Sequence, residues 1–252
     1  MMHPRTLWKP LAVSLVLLAA IALTVLVRAP AAWFGDLLQS RGSLRLVDAR
    51  GTIWDGSGML AVSDGHRAFL LPGRVAWRLS VPALATGRIE AVLSHQGLPS
   101  PVSVSIGMHG LRVGSGSAQL PAAMLTAFGG ALRTLRPGGT LDLRWTDLLI
   151  QGGMLAGEIQ AEWRDAQSAL SGVAPLGAYR ARLDGSGGGG ARLQLETLSG
   201  PLRLQGKGGW TGGKMSFRGS ATADPDMRHL LDGLLGVLGP RSGDNVLLVL
   251  EG

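Results

Sequence analysis

The sequence predicts a mainly β protein: an N-terminal transmembrane helix, then an antiparallel β-rich domain folded as a curved sheet or a sandwich, with one or two short helices. Three observations carry this. An uncharged apolar run spans Leu11–Val27. Beyond it, short apolar/polar alternations recur at roughly ten-residue spacing and are joined by Gly, Pro and Ser, the pattern of many short antiparallel strands. Glycine makes up 39 of 252 residues while aromatics are only 5%. With no Gly-X-Y period, those glycines read as turns between strands rather than as collagen.

The run Leu11–Val27 holds only two polar side chains, Ser14 and Thr24, whose hydroxyls can bond the helix's own carbonyls. As a helix it covers roughly 25 Å, close to a hydrocarbon core of about 30 Å. Leu11, Leu15, Leu18, Ile21 and Val25 form the anchor. His3, Arg5 and Lys9 precede it with no acidic residue. By the positive-inside bias, residues 1–10 are a cytoplasmic tail and the chain from about residue 30 is exported. Two readings of the segment compete. Ala29-Pro30-Ala31 has the small-x-small form of a signal-peptide cleavage site, with the cut before Ala32. Against this, the run exceeds the roughly 7–15 residues of a signal h-region, and Arg28 stands between it and the cut. That favours an uncleaved signal anchor over 11–27, a juxtamembrane segment over 28–42, and an exported β-rich domain over 43–252. Trp33 and Phe34 suit the aromatic belt of a membrane interface.

The exported part, about 220 residues, suffices for a sizeable core. It contains no cysteine, so packing and hydrogen bonds alone must hold it. The net charge is +7 and almost entirely arginine. Those arginines alternate singly with Leu, Val and Trp, which places them on the wet face of strands. No cluster interleaved with aromatics marks a nucleic-acid surface, and no nucleic-acid partner is expected. Attraction to anionic lipid headgroups fits a basic domain held beside a membrane.

Leu44–Asp48 reads as a strand. Gly51-Thr52-Ile53-Trp54-Asp55-Gly56-Ser57-Gly58 then reads as a strand–turn–strand corner with Trp54 as a core plug, leading into Met59–Val62. Arg74–Leu79 gives the cleanest alternation, with Val75, Trp77 and Leu79 on one face. Pro82–Gly87 is a one-turn connector. Strands follow at Arg88–Ser94, Val102–Ile106 and Leu111–Val113. Ala122–Leu135 has helical spacing, weakened by Gly129-Gly130, and Pro137-Gly138-Gly139 ends it. That divides the domain into halves, 43–136 and 140–252. Strands resume around Leu141–Trp145, Glu158–Arg164, Tyr179–Leu183, Leu193–Leu195, Leu202–Leu204 and Met215–Phe217. The halves echo each other weakly in Trp77…Gly87-Arg88-Ile89 and Trp145…Gly157-Glu158-Ile159, an echo compatible with an internal duplication but not a demonstration of one. Asp224-Pro225 opens a second helix with the stripe Leu230, Leu231, Leu234, Leu235 and Leu238, stopped by Gly239-Pro240. Val246–Leu250 is a closing strand.

Catalytic constellations are missing. His3, His66, His95, His109 and His229 pair with no second His at metal-ligand spacing. No G-x-S-x-G elbow occurs. Gly185–Gly190 satisfies G-x-G-x-x-G through low complexity alone and leads into a strand, not a helix, so it reads as a loop. Glu158 and Glu162 are a period-2 pair on a solvated strand face. No enzyme, cofactor or metal is expected.

Three stretches together resemble the type II secretion system protein N family. They are the basic tail with its anchor; Gly51-Thr52-Ile53-Trp54-Asp55-Gly56 after Leu44-Arg45-Leu46; and Val75-Ala76-Trp77-Arg78-Leu79-x-x-Pro82-x-Leu84-x-x-Gly87-Arg88-Ile89. The C-terminal Leu202-Arg203-Leu204-x-Gly206…Trp210…Gly219 and the Leu-rich helix also fit, while residues 95–200 are less distinctive. The resemblance implies an accessory, non-enzymatic component of the machine that exports folded proteins across the outer membrane. It implies a single-pass inner-membrane protein with a periplasmic β-rich domain and other type II secretion proteins as partners. Gly51, Thr52, Trp54, Gly56, Trp77, Pro82 and Gly87 carry the motif as structural residues. The resemblance also hints at kinship with curved sheets of the AsmA type. The alternative function is accordingly an AsmA-like lipid-handling β-groove of the cell envelope.

Overall fold

The computed structural model describes residues 28–33, 35, 44–63, 68–70, 72–128, 130–185, 190–212, 214–243 and 245–251. The run Leu11–Val27 lies outside them. No helix among the described residues is long and apolar enough to cross a membrane.

The described residues are mainly β, built as two nine-stranded antiparallel sheets with few short helices. The chain starts in the first sheet with β1 Leu44–Gly51, β2 Asp55–Ser63, β3 Ala68–Leu70, β4 Val75–Leu79, β5 Ile89–Ser94, β6 Val102–Gly107 and β7 Gly110–Val113. It crosses to the second sheet for β8 Gly116–Pro121 and β9 Pro137–Trp145. It returns to the first for β10 Leu148–Gln151 and β11 Met154–Ala156. Then β12 Glu158–Ser168, β13 Gly177–Asp184, β14 Ala191–Ser199, β15 Leu202–Thr211, β16 Lys214–Ala223, β17 Arg241–Ser242 and β18 Asn245–Glu251 complete the second. The strand orders are β1-β2-β4-β5-β6-β7-β10-β11, with β3 also on β2, and β17-β18-β16-β15-β14-β13-β12-β9-β8.

Three chain runs pass from one sheet to the other: β7 into β8, β9 into β10, and β11 into β12. Each bends where the ladder is interrupted and its polar groups are taken up locally. Gly114 N–H bonds Ser103 O at 2.8 Å, and Ser115 N–H bonds Asp147 Oδ1 at 2.7 Å. Thr146 and Glu158 exchange two bonds, of 3.0 and 2.9 Å. Gly157 turns with φ +108°, a conformation that glycine adopts at little cost. Trp145 caps the bend: a Cβ on Gly116 would lie 2.7 Å from its ring, and its indole N–H bonds Gly114 O at 2.8 Å. The alternation of inward and outward residues places apolar side chains of both sheets against one another at this bend. There Leu148, Leu155, Leu183 and Ala191 are buried among Val113, Trp145, Ile159 and Trp210. Each such side chain stabilises the fold by about 1.5–3 kcal/mol when fully buried.

A second core lies at the other end of the second sheet. Helix α3 Arg228–Leu238 lays Leu231, Leu234 and Leu235 on Leu202, Ala221 and Val246. Here α1 is Val81–Leu84 and α2 is Gly130–Leu135. Buried Tyr179 donates to Leu202 O at 2.9 Å and stacks at a tilt on Trp163, ring centroids 5.8 Å apart. Burial pushes its phenol well above the ordinary range, because a phenolate there would lose its water.

Several details depart from the sequence reading. Ala122–Leu135 is not one helix but a 3₁₀ run, Ala122–Phe128, followed by α2, since two adjacent glycines weaken a continuous helix there. Pro137-Gly138-Gly139 opens β9, which pairs with both β8 and β12. The two echoing segments differ in structure: the link from Trp77 to Ile89 contains the one-turn helix α1, whereas that from Trp145 to Ile159 is the hairpin β10–β11. Asp224 makes no side-chain cap; it pairs with Arg203 at 2.8 Å, and a 3₁₀ turn precedes α3.

Candidate functional site

The motif residues of the first sheet gather at one corner. Gly51 has φ +83°, and a Cβ there would stand 2.5 Å from Asp55 O. The turn closes through Thr52: its N–H bonds Asp55 O at 2.9 Å, and its hydroxyl accepts Asp55 N–H at 3.1 Å. Gly56 then passes under Trp77. A Cβ on Gly56 would meet the Trp77 ring and Thr52 O at 2.6 Å, and Arg50 O at 2.9 Å. Trp77 is 4% exposed, and its indole N–H bonds Ile53 O at 3.0 Å. Leu79 N–H bonds Trp54 O at 2.7 Å. The two sequence motifs are therefore halves of one packing unit: the glycines make the space that the tryptophan fills. Trp54, expected as the core plug, is half-buried, and Trp77 takes that place. Pro82, in the first turn of α1, and Gly87, with φ +72° and open space around it, belong to the connector that leaves this corner after β4.

The corner also holds the segment that precedes β1 in the chain. Ile53 N–H bonds Ala29 O at 3.0 Å, and Pro30 bridges to Thr52. Ala29 and Ala31 are each 1% exposed, and Ala31 shares a buried cluster with Leu46 and Trp77. Sequence reasoning missed this docking. Its signal was the run of small residues at 29–32, which was legible only as a cleavage motif. Leu11, Leu15, Leu18, Ile21 and Val25 lie outside the described residues.

Charge around the corner is paired at the surface. A bulge in β1 puts Asp48 at φ +50°, a left-handed conformation that Asp tolerates better than most residues. Its carboxylate takes Arg74, and Arg50 at 3.1 Å, while Arg78 meets Asp55 at 3.1 Å. The outer face of the second sheet carries the same chemistry in cross-strand form. Arg180 bridges Glu162 at 2.9 Å and Glu196 at 3.2 Å, and Arg182 meets Glu158 at 2.9 Å. The Arg180 hydrogen bond holds the Glu162 carboxyl below its ordinary range. The carboxylates that read as a solvated pair are thus the partners of strand-face arginines.

Two shallow clefts of about 360 and 550 Å³ open on the outer face of the first sheet and share Glu90, Ser105 and Arg112. His95 is tied to Pro72 O and to Gly97 N–H, both at 2.9 Å. No group of three or more metal-ligating residues occurs among the described residues.

Comparison with known proteins gives one match. The family model of the type II secretion system (T2SS), protein N, aligns with residues 42–248, a stretch that takes in the corner, Trp77, both sheets and α3. No curated protein and no solved structure matches. The chain belongs to the type II secretion system protein N family.

Proposed function

We propose that this chain is a non-enzymatic accessory component of the type II secretion system, held in the inner membrane by Leu11–Val27 with its tail cytoplasmic and its sheets periplasmic. In this reading it binds other components of the machine through an open sheet edge. Family membership supports the accessory role in secretion. One observation supports the mode of binding. β18 is paired by β16 on one side, but among the described residues β17 covers only Asn245 and Val246 on the other. Leu247 N–H bonds Pro240 O on that side, so by alternation the backbone groups of Val249 and Glu251 also point to the open edge. Leu247 is 43% and Val249 61% exposed on a face that is elsewhere charged or polar. Exposed apolar edge strands are covered or become pairing sites. Affinity purification of the full chain from native membranes tests this. Recovery of other secretion components, lost in Val249→Lys, is expected; recovery of none, or equal recovery by the variant, overturns it.

A second reading rests on the apolar face of the first sheet, where Ile89 and Ile106 are 45% and 49% exposed beside Ala91 and Val104. Such a face suits acyl chains, and the protein would then handle lipid. A photo-crosslinking residue at Ile106 of the membrane-held chain would capture phospholipid and one at Ser105, on the opposite face, would not. Equal capture at both sites counts against this reading.

A further inference from the structure

We infer that the Gly51–Gly56 corner is a clasp that lays the first sheet against the bilayer surface, with Trp33, Arg28 and Arg50 at the headgroups. This rests on the anchored reading and goes beyond it, because an anchor alone leaves the position of the domain undetermined. The apolar run ends at Val27, and Ala29 is already bonded to Ile53 in the folded domain. Two residues span at most about 7 Å even when extended, so the tether has almost no slack. The docked segment is not a loose strand lying on the surface. Ala29 and Ala31 are buried, Pro30 bridges to Thr52, and Ala31 packs with Leu46 and Trp77. From this fixed point Trp33 projects with 54% of its surface exposed, and Trp is at home in the interfacial layer. Arg28 is exposed and the Arg50 side chain is 70% exposed, which fits an anionic leaflet. The partner is the lipid surface, and Gly56 and Trp77 act by holding the chain that meets it.

The absence of cysteine makes the test direct. The full chain is placed in phosphatidylethanolamine–phosphatidylglycerol bilayers, and one nitroxide is attached through Trp33→Cys, Arg50→Cys or Ser242→Cys, the last on β17 at the edge of the second sheet. Collisions with oxygen, which partitions into lipid, are compared with those of a water-soluble nickel chelate. The expected result is an oxygen-to-nickel ratio several-fold higher at 33 and 50 than at 242. Equal ratios in chain that resists alkaline extraction overturn the clasp while the anchor stands. Chain released by alkaline extraction overturns both. Gly56→Val is expected to bring the ratio at 50 down to that at 242; a folded variant that leaves it unchanged overturns the role of the motif. Thiol reactivity at Ala31→Cys gives a measure that does not depend on that variant. Protection from a water-soluble maleimide until denaturation is expected, and immediate labelling overturns the docking.

Discussion

Trp77, Trp145 and Trp163 each send an indole N–H to a backbone carbonyl, of Ile53, Gly114 and Gly138 respectively, at 2.8–3.0 Å. Trp210 does not: its indole nitrogen is buried without an acceptor among the described residues. Removing one partner of a buried bond leaves the other unsatisfied, whereas removing an unpaired donor relieves a penalty. Trp77→Phe is therefore expected to cost about 1–3 kcal/mol more than Trp210→Phe, read from urea midpoints of the two variants. Glu162 supplies a pH dependence. Its folded pKa lies below the ordinary value of 4.5 because Arg180 hydrogen-bonds the carboxylate. The associated stability is present above that ordinary value and is lost as pH falls through the folded one. Glu162→Gln should flatten the acid side of a plot of urea midpoint against pH and leave its slope at neutral pH unchanged. At this scale the motif residues stand out in the sequence because Gly and Trp are chemically distinctive. Their pairing was hidden: Gly56 and Trp77 are far apart in the chain and meet only through the register of β2 and β4.

α3 shows what an element adds to a residue. The stripe Leu230, Leu231, Leu234, Leu235 and Leu238 is legible from helical spacing, yet the structure divides it. Leu231, Leu234 and Leu235 are buried, while Leu230 is 53% exposed. Leu231→Ala is expected to cost about 2–5 kcal/mol and Leu230→Ala under about 0.5 kcal/mol, measured by thermal or urea unfolding. Equal costs at the two positions would mean that α3 packs differently. The strands were legible where alternation was strong, as in β4, β6 and β13. β8, β10 and β11 were not, because Gly116–Pro121 has few apolar residues and the other two strands are only four and three residues long.

At the scale of the molecule, the bend makes one cooperative body of the two sheets. β9 pairs with β8 and β12, and its continuation β10 pairs with β7 and β11. Cutting the chain near Pro137 removes partners from both sheets at once and opens the Leu148–Leu155–Leu183 core. A fragment spanning 43–136 is expected to remain unfolded by circular dichroism and to bind a hydrophobic dye. The intact chain should unfold in one transition with coincident probes. A folded, monomeric 43–136 fragment would refute that coupling.

Composition, alternation and glycine spacing were enough to specify a mainly β fold, and an ordered set of motifs was enough to specify the family, because both are properties of local sequence. The hand-over between sheets, the Gly56–Trp77 contact and the burial of Ala29–Ala31 came only with tertiary structure. Each joins residues whose sequence separation carries no periodic signal, and each is decided by strand register and by the volume left where a glycine has no side chain.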